Sequence, residues 1–155
     1  MNGLNGLNVD EFKFSILNYS RKINDHLTAS LNKTGLEFGL TGMQVILLLK
    51  LFKDGTTTIG NLAEHTRVAG ANISSMCKKL EQKGFLTRNR DKRDERIVNI
   101  SLTDKGLSVM SEIDQIFEEK IQSILAGEKQ ETLDAIIKGL KLLDILFKKI
   151  EIGNK

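Results

Sequence analysis

Basic side chains are concentrated in the middle of this 155-residue sequence. The segment from Arg67 to Arg96 has a net charge of +5, whereas the whole chain has +3, so the remainder is slightly acidic. Its nine basic residues are Arg67, Lys78, Lys79, Lys83, Arg88, Arg90, Lys92, Arg93 and Arg96. A basic centre between acidic flanks is typical of a surface that binds a polyanion such as nucleic acid. A lysine-rich solvated surface would give the same charge balance.

Residues suited to catalysis or metal binding are few. Cys77 is the single cysteine, and His26 and His65 are the two histidines. Three such residues do not make a convincing zinc site, and no third group is evident to orient a Cys–His pair. The sequence also lacks a phosphate-binding loop, a metalloprotease motif and a nucleophile elbow. We therefore predict a protein that is not an enzyme and that uses no metal or cofactor.

Cys77 allows two interpretations, a redox-sensing thiol or a small core residue. A sensing thiol requires exposure and a lowered pKa. Cys77 instead lies on an apolar stripe with Ile73 and Leu80, at helical spacing. This position favours the interpretation of Cys77 as a small core residue. His65 is predicted to be a surface residue or to lie on the side that would face phosphates.

The elements that would position the basic segment are mostly helices. The chain contains no proline, which favours long helices because proline is the strongest helix breaker. Apolar residues spaced by three and four predict an amphipathic helix over 10–36, and Thr41 is predicted to cap a core helix over 42–52. Two shorter helices, the first ending near 67 and the second spanning 71–83, are separated by a turn at 68–70. That order is a helix-turn-helix pattern.

After Gly84, predicted to close the second of these helices, the hydrophobic period changes to two. Residues 85–90 and 97–102 alternate as strands do, and they flank the charged loop 91–96, which predicts a β-hairpin. Further helices are predicted over 103–125 and 128–150. A helix-turn-helix followed by a hairpin with a basic tip is a winged helix. The predicted fold class is mainly α with a small β-hairpin wing (α+β).

Two stretches of the sequence resemble those of a known family. The run Asp91-x-Arg93-Asp94-x-Arg96 followed by Leu102-Thr103-x-x-Gly106 resembles the wing signature of MarR-type (multiple antibiotic resistance) regulators. Upstream, Ile73-Ser74-x-Met76-Cys77-x-Lys79-Leu80-Glu81-x-x-Gly84-Phe85-Leu86 is similar to their recognition helix and first wing strand. The resemblance covers essentially the whole chain, as a single domain over 1–155. It implies a winged helix-turn-helix DNA-binding lobe over 56–102 and dimerisation helices over 10–36 and 103–150.

The resemblance also implies roles for individual residues in binding double-stranded DNA. Arg93 is expected to probe the minor groove from the wing tip with Asp91 orienting it, and Arg96 to support the wing by pairing with a carboxylate. Relatives often begin the recognition helix with proline, whereas this chain has Gly70-Ala71. The full set of expected DNA-binding residues is Asn72, Ser74, Ser75, Lys78, Lys79, Arg90, Lys92 and Arg93.

The resemblance further implies a repressor that binds a pseudo-palindromic operator as a homodimer and responds to a small-molecule effector. The seam Leu133, Ile136, Leu140, Leu143, Phe147, Ile150 independently favours a subunit interface, because it exceeds what one lobe can cover. An effector pocket is expected near Tyr19, His26, Phe38 and Met43.

Composition limits the class of protein further. No apolar run approaches the roughly twenty residues that span a membrane, and Met1–Val9 lacks the basic start and apolar stretch of a signal peptide. The expected protein is cytoplasmic and free of membrane partners. The alternative to a DNA-binding regulator is a winged-helix adaptor whose basic wing docks an acidic protein without specific DNA binding.

Overall fold

The computed structural model describes residues 8–152 except 67, 92 and 95, and leaves the side chains of 151 and 152 undescribed. The chain divides into two compact units, Met1–Asp114 and Gln115–Lys155. Its elements are α1 (Val9–Leu36), α2 (Gly42–Asp54), β1 (Thr57–Thr58), α3 (Ile59–Thr66), α4 (Gly70–Gln82), β2 (Leu86–Arg90), β3 (Val98–Leu102), α5 (Asp104–Leu125) and α6 (Gln130–Ile152). Every helix predicted from the sequence is present, with ends within a few residues of the predicted ones.

α1 begins with Asn8, whose side-chain oxygen accepts the backbone N–H of Asp10 at 2.9 Å. Most of the helix is exposed, and its buried residues, Thr34 and Gly35, lie at its C-terminal end. A Cβ at Gly35 would lie 2.7 Å from Cγ2 of Val45, so this end of α1 is in close contact with α2. Small residues here therefore allow α1 to run against the core helix.

α2 is the centre of the first unit. Thr41 caps it as predicted: its hydroxyl accepts the N–H of Gln44 at 3.3 Å, and the Gln44 side chain accepts the N–H of Thr41 at 3.0 Å. This reciprocal capping box satisfies two backbone donors that a helix N-terminus otherwise leaves unpaired. Three α2 side chains with almost no exposure are Leu47, Leu48 and Leu51. The rest of the core comes from α3, α4, the sheet and the first half of α5.

The wing is part of a three-stranded antiparallel sheet rather than an isolated hairpin. β3 lies in the middle, paired with β2 and with β1. Thr57 and Thr58 of β1 pair with Ile100 and Asn99, so the β-prone threonines before α3 fasten the wing to the helical lobe. Threonine is common in strands, but nothing near these threonines identifies their partner, which lies some 40 residues further along the chain.

In the second unit, the end of α5 and the whole of α6 leave large apolar side chains exposed. Ile136, Leu140 and Ile150 of α6 are each about half exposed (53%, 53% and 54%). Within the part of the chain that the structure describes, no helix is both long enough and apolar enough to cross a membrane.

Candidate nucleic-acid interface

α4 separates a buried apolar face from an exposed polar one. Ile73, Cys77 and Leu80 have no exposed surface. The residues expected to contact DNA lie on the remaining surface: Asn72, Ser75, Lys78 and Lys79 are exposed and Ser74 is partly exposed. The structure therefore groups five predicted site residues on one helix surface, with donors and acceptors small enough to approach base edges.

The N-terminal end of α4 lacks the proline that often begins this helix in the family that the sequence resembles, as the sequence indicated. The helix begins at Gly70, and the preceding Ala69 makes no side-chain capping hydrogen bond. The turn relies on backbone contacts alone, with the N–H groups of Asn72 and Ile73 both donating to the carbonyl of Ala69.

The C-terminal end of α4 is held by several elements. Gly84 closes the helix with a φ of +78°, as the sequence predicted. Its carbonyl accepts the hydroxyl of Thr103 at 2.7 Å, while the ammonium of Lys105 donates to the carbonyl of Lys83 at 2.7 Å. The Lys83 ammonium donates in turn to the carbonyl of Gly39, in the turn between α1 and α2, at 2.6 Å. These contacts link the C-terminal end of α4 to the α1–α2 turn and to the start of α5.

The signature Leu102-Thr103-x-x-Gly106 acquires a physical explanation at this junction. Thr103 also accepts the N–H of Gly106 at 3.0 Å, which caps α5, and its own N–H donates to the carbonyl of Phe85 at 3.1 Å. A Cβ at Gly106 would lie 2.0 Å from that carbonyl oxygen. The first turn of α5 therefore contacts the segment that joins α4 to β2 so closely that only glycine fits at this position.

The wing tip is organised around Asp91. One of its carboxylate oxygens accepts the N–H groups of Arg93 and Asp94, at 2.8 and 3.3 Å, and the other accepts the side-chain amide of Asn99 at 3.4 Å. The two backbone N–H groups, with the Asn99 amide, lower the pKa of Asp91 below its usual value because they stabilise the carboxylate. Asp91 thus orders the backbone that carries Arg93, rather than the Arg93 guanidinium itself.

The basic residues around this turn differ in their surroundings. Arg90 and Arg93 are exposed, whereas Lys92 lies outside the described residues. The N–H of Arg96 donates to the carboxylate of Asp94 at 3.0 Å. Among the described residues, no carboxylate lies within ion-pair distance of the Arg96 side chain, although its neighbour at position 95 is not among them.

Arg88 is a residue whose role the sequence did not indicate. Its side chain is 18% exposed and lies 3.7 Å from the Glu81 carboxylate, which also accepts the Arg88 N–H at 3.2 Å. Its Nε is buried and has no hydrogen-bond partner among the described residues. Arg88 lies opposite Ile100 on the neighbouring strand, and it is on the same face of β2 as the buried Leu86. The alternation of the strand was the available signal, because it places this arginine on the inward face.

Cys77 is buried, as predicted from its place on the apolar stripe. Burial raises the pKa of its thiol to about 11, while the nearby Arg88 lowers it and Glu81 raises it by smaller amounts. A thiol in this environment is almost entirely protonated at neutral pH, which opposes the redox-sensor interpretation.

The four residues expected near an effector do not form one group within a single chain. Tyr19 and His26 are exposed on α1, whereas Phe38 and Met43 are partly buried beyond its C-terminal end. Tyr19 lies 17 residues before the end of α1, a separation of about 25 Å along the helix. His65 is exposed on α3, beside a polar cleft that it shares with Lys50 and Glu64.

In the described part of the chain, six helices, a winged three-stranded sheet and the exposed polar and basic face of α4 define a winged-helix transcriptional regulator of the MarR type. Residues 30–113 match the family described as "Transcriptional regulator SarA/Rot". The chain belongs to this family.

Two relatives illustrate the similarity in sequence. The chain is 27% identical over 121 residues to the "HTH-type transcriptional repressor MdtR" of Bacillus subtilis, a match that covers 78% of this chain and 68% of that protein. It is 36% identical over 87 residues to the "HTH-type transcriptional regulator SarZ" of Staphylococcus epidermidis, covering 54% of this chain and 59% of the relative.

Two solved structures share the fold. A MarR family protein from Bacillus stearothermophilus superimposes with a TM-score of 0.75 over 92% of this chain and 99% of its own, at 19% identity. The S. aureus MepR–DNA complex superimposes with a TM-score of 0.69 over 81% of this chain and 93% of its own, at 24% identity.

Proposed function

We propose that this chain binds double-stranded DNA sequence-specifically, with α4 in the major groove and the wing tip in the adjacent minor groove. The observation that carries the proposal is the division of α4 into two faces. Its apolar residues are fully buried, while its amide, hydroxyl and ammonium groups are exposed on the other side. Small polar side chains such as Asn72 and Ser75 suit base edges, and Lys78 and Lys79 suit phosphates.

The wing supports the same function. Arg93 projects from a turn whose backbone is fixed by Asp91, and an exposed arginine on an ordered turn suits the narrow, electronegative minor groove. Arg90 lies at the end of β2, the first strand of the wing. One fold comparison, the MepR structure, was solved as a complex with DNA, which supports a DNA-binding role for the matched fold.

We further propose that the protein acts as a homodimer. α1 exposes Phe14 and Leu17 (70% and 72%), and α6 exposes Ile136, Leu140 and Ile150. Apolar side chains in continuous rows along helices are normally covered by a partner, and a second copy supplies the same rows. A two-fold dimer would present two reading helices to the half-sites of a pseudo-palindromic operator. Sedimentation should give twice the chain mass, and Leu140→Asp should lower it to one chain.

In this proposal the protein regulates by occupying DNA and catalyses no reaction. We propose a repressor, since MdtR is named as one, and a cytoplasmic location, since its ligand is chromosomal DNA. An effector that altered the spacing of the two reading helices would change how they match the half-sites. Because Tyr19 and Phe38 are far apart in one chain, an effector pocket that used both would have to include the second copy.

The test is selection of duplexes from a random pool, followed by fluorescence anisotropy with the enriched sequence. Arg93→Ala should weaken binding to this duplex at least tenfold, because it removes a desolvated charged contact. Its thermal stability and its oligomeric state should stay unchanged. Lys78→Ala should weaken binding as well, and Lys53→Ala, at an exposed lysine on α2, serves as the matched control. If no sequence is enriched over random DNA, the proposal of a sequence-specific regulator fails, and the alternative of a protein-binding adaptor gains support.

A further inference from the structure

A cleft of about 600 Å³ separates the N-terminal end of α4 from the base of the wing. Ala71 and Ser74 of α4 form one wall, and residues 96–98, leading into β3, form the opposite one. The start of α3 forms the floor. The cleft lies entirely within the first unit and between the two parts of the proposed DNA interface.

The chemistry of the cleft suits a negatively charged strand with apolar parts. Arg96 brings a guanidinium, and Ser74 and Thr58 bring hydroxyl groups, whereas none of the described residues that line the cleft carries a carboxylate; position 95 is not among them. Ile59 and Ile97 supply apolar surface. The space beside Gly70 is open, since a Cβ there would meet no atom within 4 Å.

The geometry of duplex DNA connects this cleft with the proposed function. The sugar–phosphate strand is the ridge that separates a major groove from the adjacent minor groove. If α4 occupies the first groove and Arg93 the second, that ridge must cross the residues between them, which are the walls of the cleft. We propose that Arg96 binds a backbone phosphate there, with the Ser74 hydroxyl as a second donor; this inference rests on the proposed function.

The position of Arg96 supports a role that differs from wing support. Its backbone is fixed, because its N–H donates to the Asp94 carboxylate at 3.0 Å, while its side chain is exposed and lines the cleft. A fixed backbone with an exposed arginine side chain is an arrangement that can position a phosphate contact. Phosphate contacts fix the register of a protein on DNA without reading sequence. Arg96 and Arg93, three residues apart, therefore have separable functions.

The experiment measures affinity against salt concentration for wild type, Arg96→Ala, Arg96→Lys and Arg93→Ala. The probes are the duplex selected by the wild-type protein and a random duplex of equal length, between about 50 and 200 mM salt. Arg96→Ala should lower the affinity for both duplexes by a similar factor, about tenfold. It should also reduce the magnitude of the slope of log K against log salt concentration by about one per bound protomer. Arg96→Lys should restore the slope, because an ammonium also displaces a counterion.

Other outcomes would overturn the assignment. An unchanged salt slope in Arg96→Ala, or a loss confined to the selected duplex, excludes a phosphate contact. A lowered melting temperature, or faster tryptic cleavage of the wing without DNA, would assign Arg96 to wing support instead. Should the wild type not distinguish the duplexes while Arg96→Ala still lowers the slope, sequence-specific binding fails and the phosphate contact stands. If wild type binds neither duplex, both proposals fail.

Discussion

Gly106→Ala should destabilise the protein by driving apart the start of α5 and the segment that joins α4, the proposed DNA-reading helix, to β2. The added Cβ would lie 2.0 Å from the carbonyl oxygen of Phe85 and 3.3 Å from Cδ2 of Leu102. An ordinary Cβ–oxygen contact is more than 1 Å longer, and the obstacle is backbone rather than a flexible side-chain end. The carbonyl must therefore retreat, which strains its 3.1 Å hydrogen bond from Thr103.

The magnitude follows from three contributions. Overpacking of this kind costs about 1–3 kcal/mol, and weakening one or two hydrogen bonds at the junction costs about 0.5–1.5 kcal/mol each. Replacing glycine by alanine in a helix returns at most about 1 kcal/mol. The net loss is about 2–3 kcal/mol, or roughly 4–12 °C in melting temperature for a chain of this size.

Chemical denaturation of Gly106→Ala at a fixed protein concentration measures this loss. Gly60→Ala is the matched control, because Gly60 also lies in the first turn of a helix, but its added Cβ would come no closer than 3.8 Å to Thr58. That variant should be neutral or more stable by up to about 1 kcal/mol. Equal stabilities of the two variants would refute the steric account of Gly106. A stable Gly106→Ala protein with normal DNA affinity would refute the coupling of α5 to α4.

Two further results are expected. With a pKa of about 11, roughly one Cys77 thiol in a thousand is ionised at pH 8. Iodoacetamide should therefore label the native protein about a hundredfold more slowly than the unfolded chain, with the rate rising tenfold per pH unit up to about pH 10. Comparable rates would mean that Cys77 is exposed. Asp91→Ala removes the acceptor for the N–H groups of Arg93 and Asp94, so trypsin should cleave the wing faster. Asp91→Asn, which keeps an acceptor oxygen, should lie between that variant and wild type, and equal cleavage of all three would contradict the role of the carboxylate.

Local patterns predicted the elements of this fold because each pattern is set by neighbours close in sequence. The three- and four-residue spacing of Ile73, Cys77 and Leu80 was sufficient to orient α4, and Gly84 was sufficient to end it. The polar face of α4 followed directly, since the burial of one side of a helix exposes the other. The candidate DNA contacts on α4 were therefore accessible from the sequence.

Contacts between residues far apart in sequence were not accessible in the same way. Nothing near Lys83 indicates that its ammonium reaches the Gly39 carbonyl, and nothing near Thr57 identifies Ile100 as its partner. The resemblance marked Gly106 as part of a signature, but the reason depends on the path of the Phe85 backbone. The cleft beside Arg96 likewise exists only once α3, α4 and β3 are assembled.

These long-range contacts lie predominantly at one end of the reading helix, and this asymmetry has a functional consequence. The C-terminal end of α4 contacts the α1–α2 turn through Lys83, α5 through Lys105 and Thr103, and β2 through Glu81. Its N-terminal end, after Ala69, has no side-chain cap among the residues that the structure describes. A displacement of α1 or α5 would therefore reach α4 through its anchored end. In the proposed complex, the uncapped end, where Asn72 and Ser74 lie, would adjust to the bases and to the phosphate strand proposed to cross the cleft.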